Sequence, residues 1–126
     1  MNSNQSILNI VKQTIDLQSD SIKNLNKYLN DDFVDCIQLI LKSKGRVIVS
    51  GIGKSAIIAQ KIVATFNSTG TPSIFMHAAD AIHGDLGLIQ MNDVVICISK
   101  SGNTPEIKAL VPFIKENDSN KLIAIT

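Results

Sequence analysis

The chain has 126 residues, of which 44% are hydrophobic and 4% aromatic, so it can bury a core but offers few rings for stacking on nucleic-acid bases. Its 12 basic and 11 acidic residues leave a formal net charge of +1 at pH 7 and form no basic stripe, which argues against nucleic acid as a partner. No apolar stretch approaches the roughly 18 to 20 residues of a membrane span and the polar start lacks a signal-peptide pattern, so we expect a soluble, cytoplasmic protein without a membrane partner.

The first 44 residues carry two helical patterns. Apolar residues recur mostly three and four positions apart over residues 7–29, which predicts one amphipathic helix. Residues 30–32 (NDD) offer a cap for a second helix, and Lys44-Gly45 ends it. The apolar stripe of the first helix could cover a neighbouring copy of the chain.

Strands and helices alternate in the rest of the chain. Uninterrupted β-branched runs are typical of strands that are covered on both faces of a parallel sheet. We therefore predict an α/β fold: a three-layer αβα sandwich around a doubly wound, flavodoxin-like parallel sheet, with a ligand crevice at the carboxyl ends of the strands. The expected strands are 47–49, 72–76, 94–98 and 122–125, and the expected helices are 54–69 and the segment from Pro105, with one or two helical turns at 78–83.

Two further expectations concern buried side chains. Cys36 and Cys97 fall within core patterns, so we interpret them as small buried residues rather than as a disulfide or a metal pair. The helix at 54–69 is expected to face the core with Ile57, Ile58, Ile62, Val63 and Phe66.

Two glycine-containing turns follow the first and third predicted strands, at residues 50–55 (SGIGKS) and 99–104 (SKSGNT). Both turns therefore lie at the carboxyl ends of strands and lead into helices. Glycine lets the backbone approach a ligand, hydroxyls donate hydrogen bonds, and the N–H groups that open a helix face an anion. Two such turns in one domain predict a site for one phosphorylated small molecule.

Nucleotide sites offer an alternative interpretation of the first turn. Residues 51–56 (GIGKSA) match the dinucleotide fingerprint, but residues 74–77 (IFMH) lack the acidic residue expected at the end of the next strand, and Asp80 comes late. A Walker A loop would need a glycine where Ile48 stands inside the strand. Both nucleotide interpretations are therefore disfavoured.

Four sequence blocks occur in a family order: 51–55 (GIGKS), 64–72 (ATFNSTGTP), 77–87 (HAADAIHGDLG) and 99–104 (SKSGNT). With these blocks the chain resembles the arabinose-5-phosphate isomerases of the KpsF/GutQ type, within the sugar isomerase (SIS) domain family. The His-Gly-Asp-Leu-Gly block is the most specific of them. The resemblance implies interconversion of D-ribulose 5-phosphate and D-arabinose 5-phosphate through an enediol, without a cofactor, for Kdo in lipopolysaccharide or capsule.

The resemblance also implies three catalytic residues. Glu106 matches the proton-shuttling carboxylate, although a carboxylate there is also favoured by the helix dipole. His83 matches a residue that could move a proton between oxygens; otherwise it is a buried, hydrogen-bonded histidine. Lys54 matches a lysine beside an enediolate or phosphate oxygen; otherwise it is a solvated side chain.

The implied substrate contacts include several hydroxyls that could equally cap helices, and a glycine that could end one. His77 matches a residue that contacts substrate and can bind zinc, which the resemblance implies to be inhibitory rather than catalytic. Two histidines six positions apart are, by themselves, a poor metal signal. The full implied set is Gly53, Ser55, Gly70, Thr71, His77, His83, Ser99, Ser101, Gly102, Asn103 and Thr104.

Family members form dimers or tetramers and continue past Thr126 with more of the sheet and, in many cases, paired CBS domains. We therefore expect residues 1–126 to be a C-terminally truncated SIS phosphosugar domain with N-terminal helices at 1–44, without CBS domains, in a homodimer or homotetramer. The alternatives are a non-catalytic SIS module that senses a sugar phosphate, an inactive fragment of the isomerase, and an isomerase of another phosphosugar such as a hexulose phosphate, against which His83-Gly84-Asp85 argues.

Overall fold

A computed structural model describes residues 3–126, which divide into a first unit that ends at Asp35 and a second unit, Cys36–Thr126. The first unit contains α1 (Ser3–Asn24) and a 3-10 turn at Leu25–Tyr28. The predicted single helix therefore ends in a tighter turn. α2 (Asp31–Lys42) begins where the sequence predicts, because the Oδ1 of Asn30 accepts a hydrogen bond from the amide of Phe33 at 3.2 Å.

The second unit is built on a parallel sheet with the strand order β2-β1-β3-β4. This arrangement confirms the predicted α/β class and the doubly wound sheet. The strands are β1 (Val47–Gly51), β2 (Ser73–His77), β3 (Val94–Ile98) and β4 (Lys121–Ile125). The helices are α3 (Lys54–Ser68), α4 (Ala78–Ile82) and α5 (Pro105–Lys115), with a 3-10 turn at Asp85–Leu88.

Side chains alternate between the two faces of the sheet and pack against different helices. Val49 and Ile96 lie in the cluster that includes Ala59 of α3, whereas Ile48 and Val95 lie in the cluster that includes Leu110 of α5. Every residue of β1 and β3 is buried, as expected for continuous apolar runs in the middle of a sheet. The three-layer sandwich predicted from the sequence is therefore confirmed.

The core face of α3 differs from the prediction. Ile57 and Ile58 are 67% and 55% exposed, whereas the buried residues of this helix are Ala56 and Ala59. Small side chains there suit a helix that starts very close to the sheet: a Cβ on Gly51 would lie 2.9 Å from the carbonyl carbon of Ser55. Ile62, Val63 and Phe66 pack against the core as predicted.

An ion pair with a buried carboxylate joins the amino ends of β1 and β3. The carboxylate of Asp93 lies 3.0 Å from Nη2 of Arg46, and it also accepts the backbone N–H groups of Arg46 at 2.7 Å and Gln90 at 2.8 Å. The guanidinium of Arg46 donates a further bond to the carbonyl of Leu88. These bonds align the two central strands, whose opposite ends carry the glycine turns.

Both cysteines are free thiols. Cys97 is buried in β3, and this burial raises the pKa of its thiol from 9.0 to about 11. Cys36 is half-buried and packs against the core cluster on the α3 side of the sheet. Their placement supports the interpretation as core residues.

The strand order creates a crevice between β1 and β3. The chain passes from β1 to β2 on one side and then crosses back to β3 on the other side of β1. At such a reversal the connections leave the carboxyl ends of adjacent strands toward opposite faces, and ligands bind in the gap. Within residues 3–126, none of the helices combines the length and the apolar character that crossing a membrane would need.

Candidate functional site

The first glycine turn brings α3 to the crevice without a capping side chain. Gly53 occupies the N-cap position with φ 59° and ψ −129°, a backbone conformation that glycine adopts readily and L side chains rarely do. Glycine has no side-chain oxygen, so no side chain caps the first N–H groups of α3. Lys54 is exposed and Ser55 half-buried in the first turn of this helix.

The second glycine turn leaves α5 uncapped for a different reason. Thr104 is the N-cap residue and could cap the helix, but its side chain makes no capping bond. Its Oγ1 lies instead 2.7 Å from Oγ of the buried Ser99. Pro105 has no N–H, so the N–H groups of Glu106 and Ile107 are the first that α5 can offer to a ligand.

Two other α-helices of the same chain, α2 and α4, are capped by side chains. Asn30 caps α2, and Nδ1 of His77 accepts a hydrogen bond from the amide of Ala79 at the start of α4. By contrast, α3 and α5 have no side-chain cap, and they start at adjacent strands on either side of the crevice. Because uncapped helix N-termini favour negative charge, this edge of the sheet is suited to bind an anion such as a phosphate.

Hydrogen bonds hold the second turn in one conformation. Gly102 has φ 65°, and its amide donates to the carbonyl of Ser99 at 3.0 Å. The amide of Asn103 donates to Oγ of Ser101 at 3.1 Å. Nζ of Lys108 donates to Oδ1 of Asn103 at 3.0 Å. The turn is therefore ordered by its own polar groups.

Two charged residues open the two uncapped helices. Lys54 is the first residue of α3, and the half-buried Glu106 is the second residue of α5. Because these helices start at adjacent strands, the ammonium and the carboxylate belong to the same edge of the sheet. A base and a cation beside an anion site are the groups that proton transfer next to a carbonyl requires.

The two histidines lie at the end of β2 and in the segment after it. His77 ends that strand with its side chain 34% exposed, and His83 is exposed at the end of α4. Because Nδ1 of His77 accepts the amide of Ala79, the proton of the neutral ring is on Nε2. Nε2–H can therefore donate to an oxygen of a ligand.

Zinc does not fit His77 in this conformation. A metal-bound histidine usually donates its second ring N–H to a neighbouring acceptor, whereas Nδ1 of His77 is itself an acceptor. Within residues 3–126 no group of three or more histidine, cysteine or acidic side chains is placed to hold a metal ion. The expected zinc site is therefore not carried further.

Gly70 and Thr71 lie away from the other predicted site residues. They precede β2 at the amino edge of the sheet, and a five-residue strand separates the two edges by about 13 Å. Gly70 has φ 92° and the amide of Thr71 donates to the carbonyl of Phe66, which is the geometry of a helix C-terminus. Gly70 therefore ends a helix, which was the alternative interpretation of this glycine. We assign neither Gly70 nor Thr71 to the crevice.

An open groove of about 800 Å³ lies at the same amino edge of the sheet. It runs between the segment around Ile89 and the end of α5 near Phe113 and Asn117, and none of the predicted site residues lines it. The site is thus defined by uncapped helices and converging polar groups rather than by this groove.

Two residues near the crevice are absent from the predicted set of site residues, although the first of them lies in the predicted turn 50–55. Ser50 is fully buried at the end of β1, next to Met76 and Cys97 in the register, and within residues 3–126 its Oγ has no hydrogen-bond partner. A hydroxyl in an otherwise apolar run was the available signal. Lys108 was the second, because a lysine in the first turn of a helix opposes the helix dipole.

Comparisons with known proteins agree with the predicted family. The SIS domain model matches residues 39–126. The chain is 47% identical over 115 residues to the arabinose 5-phosphate isomerase KdsD of Pseudomonas aeruginosa, covering 91% of this chain and 35% of that protein. It is 49% identical over 121 residues to the arabinose 5-phosphate isomerase KpsF of Escherichia coli O6:H1, covering 95% and 37%.

A solved structure supports the same fold. The chain superposes with a TM-score of 0.88 and 40% identity on an E. coli CFT073 protein described in complex with arabinose 5-phosphate, covering 98% of this chain and 65% of that one. The chain spans about a third of the length of the curated relatives it matches.

Proposed function

The chain belongs to the SIS domain family, and we propose that it forms the phosphosugar-binding part of an aldose–ketose isomerase. The proposed reaction interconverts D-ribulose 5-phosphate and D-arabinose 5-phosphate through an enediol, without a cofactor. Similarity to proteins named arabinose 5-phosphate isomerases, and to a protein described in complex with that sugar phosphate, supports this substrate.

One observation carries the proposal. Two helices start without side-chain caps at adjacent strands, at the reversal of the strand order. The hydroxyl that should cap α5 is held by Ser99 instead, which leaves the helix N-terminus for a phosphate. The proposed contacts to the phosphosugar come from both turns and from the end of β2: Gly53, Ser55, His77, Ser99, Ser101, Gly102, Asn103 and Thr104.

The proposed chemistry is a proton transfer between two neighbouring carbons. Starting from the aldose, the carboxylate of Glu106 removes the proton from carbon 2, and the electrons form the double bond of an enediolate. The ammonium of Lys54 stabilises the negative charge on oxygen. His83 moves a proton between the two oxygens, and the carboxyl of Glu106 returns its proton to carbon 1, which gives the ketose.

Neighbouring groups prepare the substrate for this step. Nε2–H of His77 donates to a sugar oxygen, since its Nδ1 is engaged with Ala79. The phosphate, held at the uncapped helices, fixes the carbon chain so that carbons 1 and 2 lie near Glu106. A role in Kdo formation for lipopolysaccharide or capsule, and a cytoplasmic location, remain predictions.

We further propose that the protein is a homodimer or homotetramer. α1 has no buried residue, and its apolar residues Ile7, Val11, Ile15 and Ile22 are each at least 49% exposed. A second copy would remove this stripe from water. A monomer in sedimentation velocity at micromolar concentration would refute the proposal.

The test of the isomerase is deuterium exchange in D2O followed by NMR. D-ribulose 5-phosphate is incubated with the protein, with its Glu106→Gln variant, or with Glu116→Gln as a matched control from the exposed end of α5. We expect arabinose 5-phosphate and deuterium uptake with the protein and with Glu116→Gln, and a loss of at least about 100-fold with Glu106→Gln.

The other outcomes separate the alternatives. Binding of the sugar phosphate without exchange would favour a sensing module or an inactive fragment over an isomerase. Exchange that survives in Glu106→Gln would refute the assignment of the base.

A further inference from the structure

Lys108 occupies a position that the fold alone does not favour. It is the fourth residue of α5, and a cation in the first turn of a helix is repelled by the positive end of the helix dipole. Its side chain is exposed, so burial of its aliphatic part does not compensate. An anion bound at the same helix end would make the position of Lys108 favourable, because the lysine and the helix N–H groups would both attract the negative charge.

The contact of Lys108 determines how Asn103 is oriented. An ammonium group has only donors, so the atom of the Asn103 amide that lies 3.0 Å from Nζ must be the oxygen. The two N–H bonds of Nδ2 then point to the other side of the amide. The backbone of Asn103 is also held, because its N–H donates to Oγ of Ser101.

We propose that Lys108 is a positioning residue for the phosphate of the substrate. It holds Oδ1 of Asn103, so that Nδ2–H donates to a phosphate oxygen, and it adds positive charge at the helix end. The inference rests on the proposed function of this site. Without Lys108, the amide of Asn103 can rotate and present its oxygen to the phosphate, which is repulsive.

The role predicts a particular kinetic signature. The phosphate does not react, so contacts with it are equally strong in the bound substrate and in the transition state. Losing this one contact should raise KM and leave kcat nearly unchanged, because the remaining contacts of the two turns still hold the phosphate and position the carbon chain. Damage to the fold or to the catalytic groups would instead lower kcat or the thermal midpoint of unfolding.

The experiment compares three single variants of the protein in isomerase assays with arabinose 5-phosphate. Lys108→Met keeps the side-chain length without charge or donors, Lys108→Arg keeps both, and Lys115→Met is the control at the exposed end of the same helix. We expect KM to rise about tenfold in Lys108→Met and no more than about threefold in Lys108→Arg. Lys115→Met should keep the KM of the unmodified protein. All three variants should keep its kcat, and Lys108→Met should not lower the thermal midpoint, because it removes a charge that the helix dipole repels.

A double variant tests whether Lys108 acts through Asn103. If Lys108 acts through Asn103, Lys108→Met raises KM by a smaller factor when Asn103→Ala is already present than when it is introduced alone. Fully additive effects, an effect on kcat alone, or a KM in Lys108→Met equal to that in Lys115→Met would each overturn the inference. If the unmodified protein neither binds nor converts arabinose 5-phosphate, the proposed function fails and this inference with it; if conversion is normal and only the Lys108 effects are missing, the proposed function stands.

Discussion

Replacing Asp93 with alanine should destabilise the protein strongly, although this residue is far from the proposed chemistry. Its side chain is 1% exposed, and its carboxylate accepts three hydrogen bonds from Arg46 and Gln90, one of them within an ion pair. Alanine would leave two backbone N–H groups without their acceptor, and the guanidinium of Arg46 would keep only its bond to the carbonyl of Leu88. Removing one partner of a buried pair lowers the free energy of unfolding by about 3–5 kcal/mol.

The structure favours the lower end of that range. Three bonds to a charged group, at about 1.5–3 kcal/mol each, would reach or exceed the upper end of that range if they added fully. The side chain of Arg46 is 27% exposed, however, so water can hydrate its guanidinium in place of the lost carboxylate. We therefore expect a loss of about 3 kcal/mol, which at a urea m value of about 2 kcal/mol/M lowers the unfolding midpoint by about 1.5 M.

Urea unfolding followed by circular dichroism measures this loss, with Asp118→Ala as an exposed control. Asp93→Asn keeps the shape, but even in its better orientation its NH2 group faces the N–H of Arg46, and the charge of the ion pair is lost. It should therefore restore only part of the stability that alanine loses. A loss below about 1 kcal/mol in Asp93→Ala, or near-complete rescue by asparagine, would refute the reasoning that the charged acceptor holds these strand ends.

Two further predictions concern the first turn and the buried thiol. Gly53→Ala should lower the free energy of unfolding by about 1–3 kcal/mol through backbone strain alone, and it should weaken phosphosugar binding. Gly87→Ala is the control and should have little effect, because a new Cβ there also meets no atoms but the φ is not positive. Equal thermal midpoints for the two variants would contradict this prediction. Because the pKa of Cys97 is about 11 when folded and 9.0 otherwise, its stabilising contribution is complete below pH 9 and is lost as the pH rises from 9 to 11, by about 2–3 kcal/mol. Between pH 9 and 11, the urea midpoint should fall less in Cys97→Ala than in the unmodified protein. An equal fall in both proteins would contradict the raised pKa of Cys97.

Much of the fold was predictable because its signals are local. The runs that became β1 and β3, the cap at Asn30 and the proline that opens α5 all act through neighbours in sequence, and each element formed where it was expected. The two glycine turns were likewise recognisable, since glycines and hydroxyl residues lie between a buried strand and a helix in both of them.

The sequence did not reveal which polar groups pair with one another. Thr104 has the sequence of a helix cap, and only its contact with Ser99 leaves α5 uncapped. Ile57 and Ile58 fit a core pattern, but the close approach of α3 at Gly51 puts alanines inward.

The sequence alone therefore determined the elements, the order of the motifs and the class of ligand that such turns favour. The tertiary structure decided that α3 and α5 start on either side of one crevice, that Gly70 and Thr71 stand at the opposite edge, and that Nδ1 of His77 is an acceptor. The physical reason is range: helix and turn preferences depend on residues a few positions apart, whereas strand order and side-chain partners depend on contacts between residues distant in the chain.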